Sequence, residues 1–126
     1  MTTQLTYDAS ITQALEELYF HASYVGDISK LKEIFHPGTR LFGDVKGQPY
    51  SKTLDEWLEV VANRESPKDS GKPFKGEILS IKMVNSVAVA EVQVKAFDML
   101  YHDFLSLHRI DGKWVIVSKI MSGVQQ

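Results

Sequence analysis

Asp103 and Lys119, on neighbouring C-terminal strands, are the residues whose types and spacing fit them for chemistry. Asp103 shares its parity with Leu105 and Leu107, and Lys119 shares its parity with Val115, Val117 and Met121. Side chains along a strand alternate between the two faces of a sheet, so this pattern turns both charged groups toward the interior. An isolated ammonium there is costly, and Asp103 is the first candidate to neutralise it. Such a pair holds an anionic or carbonyl-bearing ligand, or simply fixes the sheet. The competing expectation is an exposed strand end from which Lys119 reaches solvent.

Other chemistries find less support. The four histidines, His21, His36, His102 and His108, show no His-x-His, His-x-x-x-His or His-Glu-x-x-His spacing. His102 and His108 share a face, but six residues of strand separate them by roughly 20 Å, beyond the reach of one metal ion. No metal site is expected. His36, in Phe35-His36-Pro37, is placed to cap backbone carbonyls at a helix C-terminus. Cysteine is absent, which excludes disulfides, thiolate metal sites and a Cys nucleophile. No phosphate-cradling glycine loop, Gly-x-Ser-x-Gly elbow or dinucleotide fingerprint occurs, and no cofactor is called for.

The elements that must position these groups are marked by caps and turns. A first helix starts between Thr6 and Ser10, with Asp8 or the Ser10–Gln13 capping box at its head, and turns Ile11, Leu15, Leu18 and Ala22 inward. Gly26 closes it, and Asp27 caps a second helix that stops near His36 because Pro37 cannot continue it. Thr39 to Asp44 reads as a strand turning at Lys46-Gly47. Thr53 and Glu56 form a capping box for a third helix, with Leu54, Trp57, Leu58 and Val61 on its apolar face. Arg64 to Lys75 is polar, carries Pro67, Gly71 and Pro73, and reads as a loop. Four strands follow, over Glu77–Val84, Val87–Phe97, Leu100–Ile110 and Lys113–Met121, with tight turns at Asn85-Ser86 and Asp111-Gly112. Helices followed by an antiparallel meander make an α+β domain.

Strand parity also predicts an interface. Phe104, Trp114, Ile116 and Ile120 fall opposite to the inward set, and no remaining segment is large enough to cover them. A second copy of the chain is the economical cover, which predicts a homodimer. The 126 residues fit one domain spanning 1–126, with charged residues at 24% and a net charge of −2. No basic stripe suggests nucleic acid as partner. The N-terminus lacks the charged and apolar regions of a signal peptide, and no apolar run approaches the roughly 20 residues of a membrane span. A bacterial cytoplasmic location is expected, with no membrane partner.

The stretch Gly26-Asp27 to Phe35-His36-Pro37-Gly38, running on to Leu41-Phe42-Gly43, and the run from Leu105 to Lys119 resemble the nuclear transport factor 2-like superfamily. Within it, the bacterial proteins called putative lumazine-binding are the nearest match. The resemblance covers about residues 7 to 121. It implies a cone-shaped fold in which three N-terminal helices pack in a strongly curved, mainly antiparallel sheet, with an apolar pocket at one end and pairing through the outer sheet face. It also implies a pocket formed by Tyr19, Leu41, Gly43, Val61, Leu105, Val117 and Lys119. In similarity to ketosteroid isomerase, Tyr19 takes the oxyanion-hole position, seven residues before Gly26, and the second acid falls near Asp103, or on Phe104 if the turn is counted without a gap. The general base should stand eight residues beyond Phe35, where this chain has Gly43; Asp44 takes its place only if the strand bulges. An efficient isomerase of that kind is therefore not expected. The expected function is binding of an unknown small organic ligand, pteridine-like if the family name holds. The alternatives are isomerase-, dehydratase- or cyclase-like acid–base chemistry by Tyr19, Asp103 and Lys119, and a protein-binding dimerisation module.

Overall fold

A computed structural model describes residues 9–126. The first helix, α1, occupies residues 9–25, with a π-helical stretch at Leu15–His21 and a final α-helical turn at Ala22–Val25. Ser10 is already helical, so it is not the cap; Thr6 and Asp8 lie outside the described residues. Ile11, Leu15 and Ala22 are buried as their spacing predicts, and the wider π turn brings the adjacent Tyr19 and Phe20 inward together. Gly26 ends α1 in the left-handed conformation at φ +76°. Asp27 then caps α2 (Ile28–Ile34), accepting the Lys30 N–H at 3.2 Å. His36 does not cap helix carbonyls; its Nδ1 accepts the Gly38 N–H at 3.0 Å.

Strand β1 (Arg40–Val45) pairs through the Lys46-Gly47 turn with β2 (Gln48–Thr53). Pro49 belongs on an edge, where its missing N–H breaks no ladder, and β2 is an edge strand. The Thr53 capping box is complete, with Thr53 Oγ1 accepting from the Glu56 N–H at 3.2 Å and Glu56 Oε1 accepting from the Thr53 N–H at 2.8 Å. It opens α3 (Leu54–Asn63), whose Leu54, Trp57, Leu58 and Val61 are buried. Within the polar stretch read as a loop stands a single turn, α4 (Pro67–Ser70), capped by Ser66.

The last four strands are β3 (Lys75–Val84), β4 (Val87–Ala96), β5 (Met99–Ile110) and β6 (Lys113–Gln125). Asp111-Gly112 closes the last hairpin with both φ values positive. So does Phe97-Asp98 between β4 and β5, at φ +54° and +62°, without a glycine to ease it. The sheet runs β2-β1-β6-β5-β4-β3, antiparallel except where β1 lies parallel to β6. Its inner face packs on the helices around Ile11, Leu15, Leu31, Ile34, Phe35, Leu105, Leu107 and Ile116. Each such apolar side chain contributes about 1.5–3 kcal/mol on burial. This is the α+β, cone-shaped architecture expected, three N-terminal helices against a curved, mainly antiparallel sheet.

A single bulge decides which residues face inward on β6. Ser106 pairs with Ser118, but Leu107 pairs with Ile116, so Val117 has no partner on β5. One extra residue reverses the alternation. Before the bulge Trp114 and Ile116 point inward and are buried in the core; after it Lys119 and Met121 do. The assignment of Trp114 and Ile116 to an outer face is therefore corrected. Phe104 and Ile120 remain outside, 45% and 55% exposed.

Candidate functional site

Helix α1, helix α3 and strands β4 to β6 enclose a cavity of about 210 Å³. Its polar end is built from three side chains. The π stretch of α1 aims Tyr19 at the sheet, where its hydroxyl donates to Asp103 Oδ2 at 2.6 Å. Lys119 approaches from β6, two residues along the register from the position opposite Asp103 on β5, because Asp103 pairs with Met121 and Leu105 with Lys119. Its Nζ stands 4.0 Å from the same Asp103 Oδ2. Asp103 and Lys119 are 1% and 5% exposed, so the snorkelling alternative does not hold.

The ammonium is held by aromatic faces more than by hydrogen bonds. It lies 4.7 Å from the centre of the Trp57 ring and 5.2 Å from that of Tyr19, distances at which a cation is attracted by a ring face. Burial pushes the Lys119 amine below the usual lysine range; Asp103 opposes that shift, and Arg64 adds to it. Burial, then the neighbouring Asp103 charge and hydrogen bond, hold the Tyr19 phenol well above its ordinary value. Tyr19 therefore remains a donor. Asp103 Oδ1 is buried and has no hydrogen-bond partner among the described residues.

The wall is mainly aromatic and apolar. Trp57 and Val60 reach it from one stripe of α3, at i and i+3, and Arg64 from the extended residue just past the helix end, while Leu58 and Val61 turn to the core. Tyr50, Phe74, Phe97, Tyr101 and Met121 add to the lining. The Arg64 guanidinium lies 4.9 Å over the Phe97 ring, and burial lowers its pKa. Among charged lining residues Lys52, Arg64 and Lys119 face only one carboxylate, Asp103. Excess positive charge in a low-dielectric wall favours an anionic or electron-rich guest.

A family model described as "Putative lumazine-binding" matches residues 7–122. The chain belongs to that family. A protein named "Aldolase FrzH", from a Cladobotryum species, is 33% identical over 120 residues, covering 94% of this chain and 91% of its own length. A nuclear transport factor 2-like protein of unknown function from Silicibacter pomeroyi DSS-3 superposes with a TM-score of 0.85 at 25% identity, covering 98% of this chain and all of its own. A second, from Shewanella baltica OS155, gives 0.83 at 22% identity over 97% of each chain. A cystatin-like fold protein from Burkholderia xenovorans LB400 gives 0.65 at 16% identity, covering 94% of this chain and 92% of its own, and so shares the fold.

Of the residues anticipated for a site, this lumazine-binding family member brings together Tyr19, Asp103 and Lys119. The other anticipated lining residues stand elsewhere. Leu41 and Leu105 are fully buried in the core, and Val61 lies in it too. Val117 is the unpaired bulge residue and does not line the cavity. Gly43 faces inward, but a Cβ there would stand 1.7 Å from the Met121 carbonyl oxygen, so the strands meet where a base would need a side chain. The register of β1 runs through Gly43 without a bulge, and Asp44 accepts a hydrogen bond from Ser122 on the exposed side at 2.7 Å. The position of an isomerase-type base on β1 therefore has none. Arg64 and Tyr101 were missed; Arg64 follows the last residue of α3 in extended backbone, so no helical spacing announces it. Among the described residues, no three His, Cys, Asp or Glu side chains converge, and no helix is long and apolar enough to cross a membrane.

Proposed function

We propose that the pocket binds a small, planar, carbonyl-bearing organic molecule, an anion by preference, and that Tyr19, Asp103 and Lys119 exchange protons with it. The observation that carries this reading is Asp103 Oδ1, a buried acceptor with no donor among the described residues, in the same pair as the buried Lys119 amine. A buried polar atom without a partner is costly, and a ligand hydrogen satisfies it. The aromatic wall suits a flat guest, and a cavity of about 210 Å³ suits one smaller than a drug-sized molecule. The family description and the relative named as an aldolase support a carbonyl ligand. Screening small aromatic keto and aldehyde acids by thermal shift, with Asp103→Leu as control, tests it. Stabilisation of wild type alone is expected; a screen with no stabilising carbonyl compound would remove the support.

We propose also that two copies pair through the outer sheet face, in a single domain of cytoplasmic location. Phe42, Ile120 and Phe104 are exposed and adjacent in register across β1, β6 and β5, which makes a continuous apolar strip. Sedimentation at micromolar concentration should give a dimer; a monomer there would overturn the pairing.

A further inference from the structure

We infer that Lys119 is an amine nucleophile, forming an imine with an aldehyde or ketone that carries a carboxylate, with Asp103 as the proton carrier. The inference deepens the carbonyl-binding reading and rests on it. Its basis is how poorly Lys119 is placed for a purely structural ion pair. A direct charge-assisted bond would bring nitrogen and oxygen to about 2.7–2.9 Å. Here the separation is 4.0 Å, and the near oxygen of Asp103 is already taken by the Tyr19 hydroxyl at 2.6 Å. A single oxygen atom fits within hydrogen-bond distance of both Nζ and Oδ2 across that gap. The amine therefore faces the cavity beside the rings of Trp57 and Tyr19, with a carboxylate that can trade a proton through one bridging water and is too far to bind it tightly. Desolvation of this kind raises the neutral, nucleophilic fraction of a lysine.

The step balances within the site. The ammonium gives a proton to Asp103 by way of one water in that gap, leaving a neutral amine and a carboxylic acid. The nitrogen lone pair attacks the carbonyl carbon, the C–N bond forms, and the π electrons move to oxygen, which takes a proton from that nitrogen. The resulting carbinolamine loses its hydroxyl as water, using the proton held by Asp103, while the nitrogen lone pair forms the C=N bond. The site begins as ammonium with carboxylate and ends as iminium with carboxylate, neutral overall at both stages, with one water released. Asp103 Oδ1, with no hydrogen-bond partner among the described residues, can then remove a proton from the carbon next to the iminium and give an enamine. Arg64, also in the cavity wall, supplies the charge for the carboxylate of the guest.

The probe is 4-formylbenzoate, with 4-(hydroxymethyl)benzoate as its non-electrophilic twin. Wild-type protein is treated with each near neutral pH in the presence of cyanoborohydride, and the adduct is located by peptide mass mapping. Binding of both compounds is followed separately by quenching of tryptophan fluorescence. Lys119 should be labelled on the order of tenfold faster than any exposed lysine, because burial beside two rings raises the neutral, nucleophilic fraction of its amine. The alcohol should compete with that labelling, and Lys119→Met should lose the fast adduct alone. Mapping on wild type keeps the test valid if the variant does not fold. Binding of both compounds without preferential labelling of Lys119 would overturn the imine and leave the carbonyl-binding reading standing. No binding of either compound, together with no preferential labelling, would overturn both.

Discussion

Replacing Asp103 with Asn isolates the charge of the buried pair from its shape. Asparagine fills the same space, and its carbonyl can still accept the Tyr19 hydrogen bond. What disappears is the negative charge 4.0 Å from the Lys119 ammonium. At that separation, with an effective dielectric constant of about 20, two unit charges attract by ~4 kcal/mol. Breaking a buried pair by removing one partner typically costs about 3–5 kcal/mol. The expected loss near pH 6 is at the lower end, about 3 kcal/mol, because Lys119 keeps the faces of Trp57 and Tyr19, each worth about 1 kcal/mol or more to a cation. The sign with pH follows from proton binding. In Asp103→Asn the folded-state pKa of Lys119 falls further below the unfolded value of about 10.4, so between the two the unfolded chain holds the extra proton. The variant's stability should therefore rise as pH rises through that window, and the deficit should shrink. Urea unfolding at fixed protein concentration, from about pH 6 to 9.5, measures it for wild type, Asp103→Asn, Lys119→Met and the double variant. The double variant should recover at least half of the Asp103→Asn loss. A loss below about 1 kcal/mol at the acid end, or one that grows with pH, would refute the reasoning.

Gly43→Ala should be severely destabilising, by several kcal/mol, because its Cβ would meet the Met121 carbonyl oxygen at 1.7 Å and the φ of +149° disfavours any side chain. Melting temperature reads this directly, and a shift within error would show that the strands can separate. Thr53→Ala should cost about 1 kcal/mol by removing the N-cap of α3, measured by the same urea titration. Ile120→Glu should convert the expected dimer to monomer in sedimentation while leaving the far-ultraviolet circular dichroism of the fold unchanged.

Much of the fold was legible because its punctuation is local. Gly26, Asp27, Thr53 with Glu56, and Asp111-Gly112 each act within a few residues, and each does in the structure what its chemistry suggests. The polar site was partly legible for the same kind of reason, since the parity of Asp103 with Leu105 and Leu107 holds along the whole inner side of β5. Lys119 reached its inward position by a different route from the one the alternation suggested. Parity counted from Val115 and Val117 happened to select Lys119 and Met121, but Trp114 and Ile116 share the inner face with them because Val117 is inserted between. No residue type announces such an insertion: Val117 is as good a strand former as its neighbours, and the bulge exists only relative to the partner strand. The same limit hid β2, whose Gln48-Pro49-Tyr50-Ser51-Lys52-Thr53 has no alternating apolar face because it is an edge strand. The walls of the pocket were the least legible part, because they come from separate elements whose meeting is set by sheet curvature.

The Phe97-Asp98 turn shows how a pocket can work against the frame that carries it. Both residues adopt a backbone conformation natural to Asn-Gly, at a conformational cost of order 1–3 kcal/mol each. In return the chain places an aromatic ring at the cavity wall, under the Arg64 guanidinium. Selection for thermal robustness alone would drift this turn toward Asn-Gly and strip the guanidinium of its platform, whereas selection for ligand recognition would keep the phenylalanine in spite of its backbone. A lineage that has abandoned its ligand should therefore lose Phe97 early, long before the caps and hairpins that hold the fold, so the identity of this one turn residue dates the retirement of a pocket better than the preservation of its shape.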